Sequence, residues 1–217
     1  MFFVLPVEEE RPIRYFPIVN FLLIGLNIYF FLKTATHPGF DAYVEAHGFT
    51  PSHAEFRDVF SSMFLHANWG HLLGNMYFLY VFGDRVEAAI GSLAYSFAYL
   101  VSGFGACYLQ YHMDPHSSLP LIGASGAISG VCALYMFLFP WARMRWQFFF
   151  IFFPIFSIPS RAIFVVGFWF IEQYVLARFV GPQLTGGVAF WAHVGGFMTG
   201  ALLFPLLYRK PKKSGKG

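Results

Sequence analysis

Charged residues are scarce in this chain of 217 residues. They make up 12% of it, whereas hydrophobic residues make up 57% and aromatic residues 22%. A typical soluble domain carries about 25% charged residues, and so few could not cover a surface that faces water. Because the mean hydropathy is also +0.56, the composition predicts that lipid surrounds most of the chain.

Cysteine is also rare, and both cysteines, Cys107 and Cys132, lie inside apolar runs. Thiols in such runs usually serve packing, and neither a disulfide framework nor metal-ligand spacing follows from two of them. The sequence therefore implies no metal and no cofactor. The sequence also shows no basic N-terminal stretch followed by a cleavage site, and residues 8–10 are all Glu. We therefore expect no signal peptide.

The net charge of +3 does not indicate a nucleic-acid partner. Binding of that kind needs a basic face on a folded domain, whereas here the basic residues gather behind the last apolar run. A cluster in that position is typical of the cytoplasmic flank of a membrane helix. Its members are Arg209, Lys210, Lys212, Lys213 and Lys216.

Apolar runs of the length that a membrane helix needs, roughly 20 residues, occur six times. They predict an all-α, polytopic membrane protein, with a cytoplasmic segment (1–16), a six-helix domain (17–208) and a basic cytoplasmic tail (209–217). The predicted spans are Pro17–Ala35, Trp69–Ile90, Leu93–Tyr111, Ala124–Pro140, Ser160–Arg178 and Gly187–Tyr208.

The distribution of basic residues predicts the orientation of these spans. If both ends are cytoplasmic, every Lys and Arg except Lys33, Arg57 and Arg178 lies on that side, as the positive-inside rule favours. We therefore expect a multi-pass protein of a cell membrane with both termini in the cytoplasm. The apolar stretch 146–159 contains Pro154 and Pro159 and is interpreted as an interfacial or half-inserted segment.

Polar side chains at membrane depth are the first candidates for function, because they are costly to bury there. His71 and Asn75 lie four residues apart and share one helix face. Taken alone, they fit packing hydrogen bonds between membrane helices equally well. Ser125 opens the fourth span between Gly123 and Gly126, where the partial positive charge of a helix N-terminus suits a developing oxyanion. An isolated serine there would be a helix cap.

A third polar site lies in the last span. Ala192, Gly196 and Gly200 recur every four residues and predict a groove for a neighbouring helix. His193 adjoins that groove. If the groove meets the glycine-flanked start of the fourth span, the imidazole of His193 can reach the hydroxyl of Ser125. A base in that position can take the proton of the hydroxyl and so make its oxygen a nucleophile.

These motifs, His71-x-x-x-Asn75, Gly123-x-Ser125-Gly126 and Ala192-His193-x-x-Gly196, stand in this order on separate spans. In this respect the chain resembles the rhomboid intramembrane serine proteases, from about residue 55 to residue 208. The resemblance implies a six-helix bundle and an endopeptidase that cuts single-pass or polytopic membrane proteins near the outer membrane face.

The same resemblance implies roles for individual residues. Ser125 would be the nucleophile and His193 the general base, without an acidic third member, and Asn75 and His71 would bind the oxyanion. The chain departs from the family at Ser129, where an aromatic residue often stacks on the histidine. The hydroxyl of Ser129 can bond His193 instead.

Three other functions match single features of the sequence. An inactive rhomboid-like protein that binds membrane helices usually lacks the serine or the histidine, and this chain has both. A transporter would rely on Glu172 in the fifth span, but neither an inverted repeat nor a pair of broken helices is visible in the sequence. A zinc hydrolase could use His66, His71 and His193, although no His-Glu-x-x-His motif occurs.

Overall fold

The computed structural model describes residues 2–8, 15–35, 38–151, 153–180 and 187–208. Within those ranges the chain is mainly helical and has one small sheet. The helices are α1 (Ile18–Thr34), α2 (Phe40–His47), α3 (Phe56–Ser62), α4 (Trp69–Phe78), α5 (Asp84–Ile90), α6 (Ser92–Met113), α7 (Ser125–Leu138), α8 (Ala162–Phe179) and α9 (Phe190–Leu207). The strands are β1 (Phe2–Glu8), β2 (Arg143–Phe150) and β3 (Phe153–Arg161). Arg11, Arg14 and the basic tail lie outside the described residues.

Three helices of the described residues, α6, α8 and α9, are long and apolar enough to cross a membrane. Helices α1 and α7 are apolar but shorter, at 17 and 14 residues. Helix α4 continues into α5 through a π-helical segment, Leu79–Gly83, so that the predicted second span is helical over its full length. The chain is therefore an integral membrane protein, and the count of six spans remains a prediction.

The first turn of α1 is held by a buried carboxylate. Glu87 accepts hydrogen bonds from the backbone N–H groups of Val19 and Asn20, at 3.1 and 2.7 Å. N–H groups in the first turn of a helix have no acceptor within that helix. The Asn20 side chain donates to the Leu79 carbonyl in the π-helical segment at 3.0 Å and accepts from the Tyr95 hydroxyl at 2.7 Å. This network joins α1, α5 and α6 at one end of the bundle.

The expectation of an all-α fold is wrong for residues 143–161, which form a β-hairpin. Strands β2 and β3 pair antiparallel, and β1 pairs with the other edge of β2. Pro154 and Pro159 would break a helix but are tolerated in the edge strand β3, and the many aromatic residues favour strands. Glu8 of β1 binds Arg85 at 2.7 Å and accepts a hydrogen bond from Tyr135, which ties the sheet to α5 and α7.

Helices α7 and α9 approach until their backbones touch. A Cβ atom on Gly196 would overlap the carbonyl oxygen of Gly126, and one on Gly200 would overlap that of Gly130. The stripe of small residues predicted in the last span is therefore a helix contact, and its partner is α7. Because only glycine permits this approach, the contact fixes the start of α7 beside the start of α9.

Candidate active site

Ser125 is the first residue of α7 and follows an irregular turn. Gly123 has a φ of +114°, which residues with a side chain rarely adopt, and its N–H donates to the Ser62 carbonyl at 2.8 Å. Phe49 and Leu121 exchange backbone hydrogen bonds of 3.0 and 2.8 Å that hold the incoming segment. The turn thus presents the Ser125 hydroxyl at a helix start, where backbone N–H groups lack intrahelical acceptors.

His193 lies in the first turn of α9, against Ser125. Its Nε2 atom is 2.8 Å from the Ser125 Oγ atom. The glycine contact between Gly126 and Gly196 lies beside both residues and allows this short distance. A hydroxyl within hydrogen-bond reach of an imidazole can lose its proton to that base while its oxygen attacks a carbonyl carbon. The structure brings these two candidate residues together.

The other imidazole nitrogen of His193 contacts a residue that the sequence analysis missed. Its Nδ1 atom is 2.7 Å from the Oε1 atom of Gln173, in α8. Gln173 is 6% exposed, although its helix is otherwise mostly apolar. The available signal was a neutral amide in the middle of a predicted span, because polar groups at that depth need partners.

The hydroxyl of Ser129 does not bond His193, so that expectation was wrong. Its Oγ atom donates to the Ser125 carbonyl at 2.7 Å, one helical turn back, a bond that serine commonly makes inside helices. Aromatic rings still border the imidazole. The ring centroids of Trp169 and Phe190 lie 6.1 and 6.0 Å from that of His193, and neither ring is stacked closely on it.

His71 and Asn75 lie on one face of α4, next to the turn before Ser125. A Cβ atom on Gly123 would lie 2.5 Å from His71 Nε2 and 3.5 Å from Asn75 Nδ2. The Nδ1 atom of His71 accepts from the Ala67 N–H at 3.4 Å, so in the neutral ring the proton is on Nε2. The Asn75 Nδ2 atom is buried and has no acceptor among the described residues. Both groups can therefore donate to an oxygen that arrives at this turn.

His66 is fully buried and packs on His71, with ring centroids 5.0 Å apart. It lies between α3 and α4, where burial, together with the neighbouring His71, lowers the pKa of His66 to about 3. His66 is therefore neutral at physiological pH. Within the described ranges, no three residues among His, Cys, Asp and Glu come together as a metal site would require.

Glu172, the anchor of the transporter hypothesis, is exposed on α8. It borders a cavity of about 700 Å³ between α8, the sheet and the π-helical segment. Most of the lining is apolar, and Trp169 belongs both to this lining and to the surroundings of His193. Neither Ser125 nor His193 belongs to the lining of this cavity.

Comparison with known proteins decides the family. Residues 53–210 match the Rhomboid domain. The chain belongs to the rhomboid family. The resemblance inferred from the three motifs is thereby confirmed, and the match extends from the loop before α3 to the end of α9.

Curated rhomboid relatives match different shares of the chain. Rhomboid-like protein 11, chloroplastic, of Arabidopsis thaliana is 29% identical over 89% of this chain and 66% of its own length. RHOMBOID-like protein 4 of the same plant is 34% identical over 70% of this chain and 34% of its own length. Rhomboid protease AarA of Providencia stuartii is 38% identical over 33% of this chain and 30% of its own length. The chain thus spans between 30% and 66% of the length of these relatives.

Proposed function

We propose that this rhomboid protein is an intramembrane serine endopeptidase with Ser125 as nucleophile and His193 as general base. The observation that carries the proposal is the 2.8 Å contact between Ser125 Oγ and His193 Nε2. A second observation supports the proposal: the amide oxygen of Gln173 lies 2.7 Å from Nδ1 of the same ring. An oxygen can only accept there, so Nδ1 holds the proton and Nε2 is free to accept the proton of Ser125.

The reaction follows from this arrangement. Ser125 Oγ attacks the scissile carbonyl carbon while its proton moves to His193 Nε2. The tetrahedral intermediate collapses to an acyl-enzyme, and the imidazolium returns the proton to the leaving amine. A water molecule, activated by the same nitrogen, then hydrolyses the ester and restores the serine.

The oxyanion of that intermediate needs donors that are already in place. The candidates are the Asn75 amide, the Nε2–H of His71 and the first backbone N–H groups of α7. Support comes from the buried Asn75 Nδ2 atom, which has no acceptor among the described residues. A substrate oxygen held at the Gly123 turn would supply the acceptor that this Nδ2 atom lacks.

The substrates we propose are single-pass or polytopic membrane proteins, cut near the outer membrane face where water can enter. Proteolysis inside lipid requires a wet cavity, because the bilayer core supplies no water. We further propose six spans within residues 17–208, flanked by cytoplasmic segments 1–16 and 209–217, in a cell membrane.

The proposal is tested by incubating the purified protein in detergent with a model transmembrane substrate and mapping the cut by mass spectrometry. We expect one main cut within or next to the substrate's membrane segment, and equal activity with a chelator present. A protein that binds the substrate helix without cutting it would instead be the inactive, helix-binding relative. Loss of activity with the chelator would favour the zinc hydrolase.

Asn75→Ala should lower kcat by about ten- to a thousandfold, because one preorganised oxyanion donor is lost. KM should change little, since the bond strengthens only as the oxyanion forms. Steady-state cleavage rates measure both constants. Gly74→Ala is the control on the same helix, because a Cβ atom there meets nothing within 4 Å. An unchanged kcat in Asn75→Ala would remove Asn75 from the oxyanion site.

A further inference from the structure

The hydrogen bond between Gln173 of α8 and His193 of α9 adds a third residue to the proposed pair of Ser125 and His193. We infer that Gln173 is a positioning residue that holds His193 in the tautomer and ring orientation needed to take the Ser125 proton. This inference rests on the proposed function. The structural basis is a continuous chain of contacts, with Gln173 Oε1 at 2.7 Å from Nδ1 and Ser125 Oγ at 2.8 Å from Nε2.

The burial of Gln173 argues that this contact is built into the fold. The flanking residues Glu172 and Tyr174 are exposed, whereas Gln173 is 6% exposed and faces the bundle. An amide in an apolar setting is costly unless its polar atoms are bonded. The Oε1 atom meets that requirement through His193, so the position of α8 and the orientation of the imidazole are linked.

The chemistry of an amide oxygen explains what the contact achieves. A neutral imidazole carries its single proton on either nitrogen, and only the form protonated on Nδ1 can accept from a hydroxyl at Nε2. An acceptor on Nδ1 selects that form and also stabilises the imidazolium once the proton has moved, as the third member of a catalytic triad does. Gln173 supplies this acceptor without a negative charge.

Among the described residues, only Gln173 is hydrogen-bonded to His193 Nδ1. Ser129, four residues after the nucleophile, donates its hydroxyl to the Ser125 carbonyl. The indole N–H of Trp169 can only donate, and the ring of Phe190 has no polar atom. These two rings border the imidazole, while the tautomer depends on Gln173.

Gln173→Met tests the inference, because it keeps the side-chain length and removes the acceptor. We expect kcat to fall by about ten- to a hundredfold, the value of a hydrogen bond to a charged group, with KM nearly unchanged. The rate at which a small fluorophosphonate labels Ser125 should fall in parallel, since labelling needs the activated hydroxyl but no docked substrate helix. The matched control is Gln147→Met in β2, whose side chain bonds only strand carbonyls in the described structure.

Gln173→Glu is the rescue variant, because a carboxyl group retains an oxygen for Nδ1. Its labelling rate should lie well above that of Gln173→Met. Equal labelling of Ser125 in Gln173→Met and wild type would overturn the inference, and so would equal losses in the Met and Glu variants, which would indicate a role through shape alone. Failure of the proposed function looks different, because the wild type itself would then neither cut the substrate nor label at Ser125.

Discussion

Ser125→Ala and His193→Ala are each expected to abolish cleavage of a transmembrane substrate, with losses of at least about 10⁴-fold in kcat. Alanine at position 125 removes the attacking oxygen. Alanine at position 193 leaves the hydroxyl without the base that lies 2.8 Å away, and an unassisted hydroxyl is a weak nucleophile. Because the two residues act as one unit, the double variant should be no slower than either single variant.

The measurement is the detergent cleavage assay, combined with fluorophosphonate labelling of Ser125. Ser129→Ala is the matched control, since it removes a serine hydroxyl one turn along the same helix that bonds only a backbone carbonyl in the described structure. We expect it to keep activity within a few-fold. Cleavage by Ser125→Ala at the wild-type rate would falsify the proposed mechanism, whatever the family of the chain.

The candidate residues could be found from the sequence because polar atoms stand out in apolar helices. Ser125, His193 and Asn75 each interrupt an apolar run. Polar side chains are costly to bury in lipid, so those found there are candidates for function. The glycines at positions 196 and 200 indicated which face of the last span meets another helix. Spacing alone, however, could not say which helix that was, because the partner glycines on α7 lie about 70 residues away.

Gln173 was missed for a physical reason. A single amide in a membrane helix is usually satisfied by packing bonds, and nothing along α8 shows that its oxygen meets an imidazole on α9. The expected hydrogen bond between the Ser129 hydroxyl and His193 was wrong for a related reason. A serine inside a helix can bond the carbonyl four residues earlier, and in this chain that local bond is formed.

The place of β1 in the sheet was missed because its partner strand is distant in sequence. Strand β1 pairs with β2 more than 130 residues later, a contact that no local pattern indicates. Residues 146–159 contain so many aromatic residues that an interfacial segment was the natural interpretation, since aromatic side chains collect at membrane boundaries. The prolines at 154 and 159 excluded a regular helix, but they did not identify the pairing partner.

Gly196→Val should remove both stability and activity, because it pushes apart the two helices that carry Ser125 and His193. The new Cβ atom would overlap the Gly126 carbonyl oxygen, a backbone atom that no rotamer change can move aside. Overpacking of this kind costs about 1–3 kcal/mol, which corresponds to a melting temperature lower by roughly 2–12 °C. Since helix separation also breaks the hydrogen bond between the two residues, we expect cleavage to fall by more than about a hundredfold.

Thermal unfolding in detergent, followed by tryptophan fluorescence, and the cleavage assay measure these two effects separately. Gly25→Val is the control, because a Cβ atom at that position of α1 meets nothing within 4 Å, so only the small helix-propensity change remains. A folded Gly196→Val protein that melts at a lower temperature but cleaves at the wild-type rate would contradict the argument. The glycine contact would then stabilise the bundle without setting the distance between imidazole and hydroxyl, and α9 would reach α7 by another route.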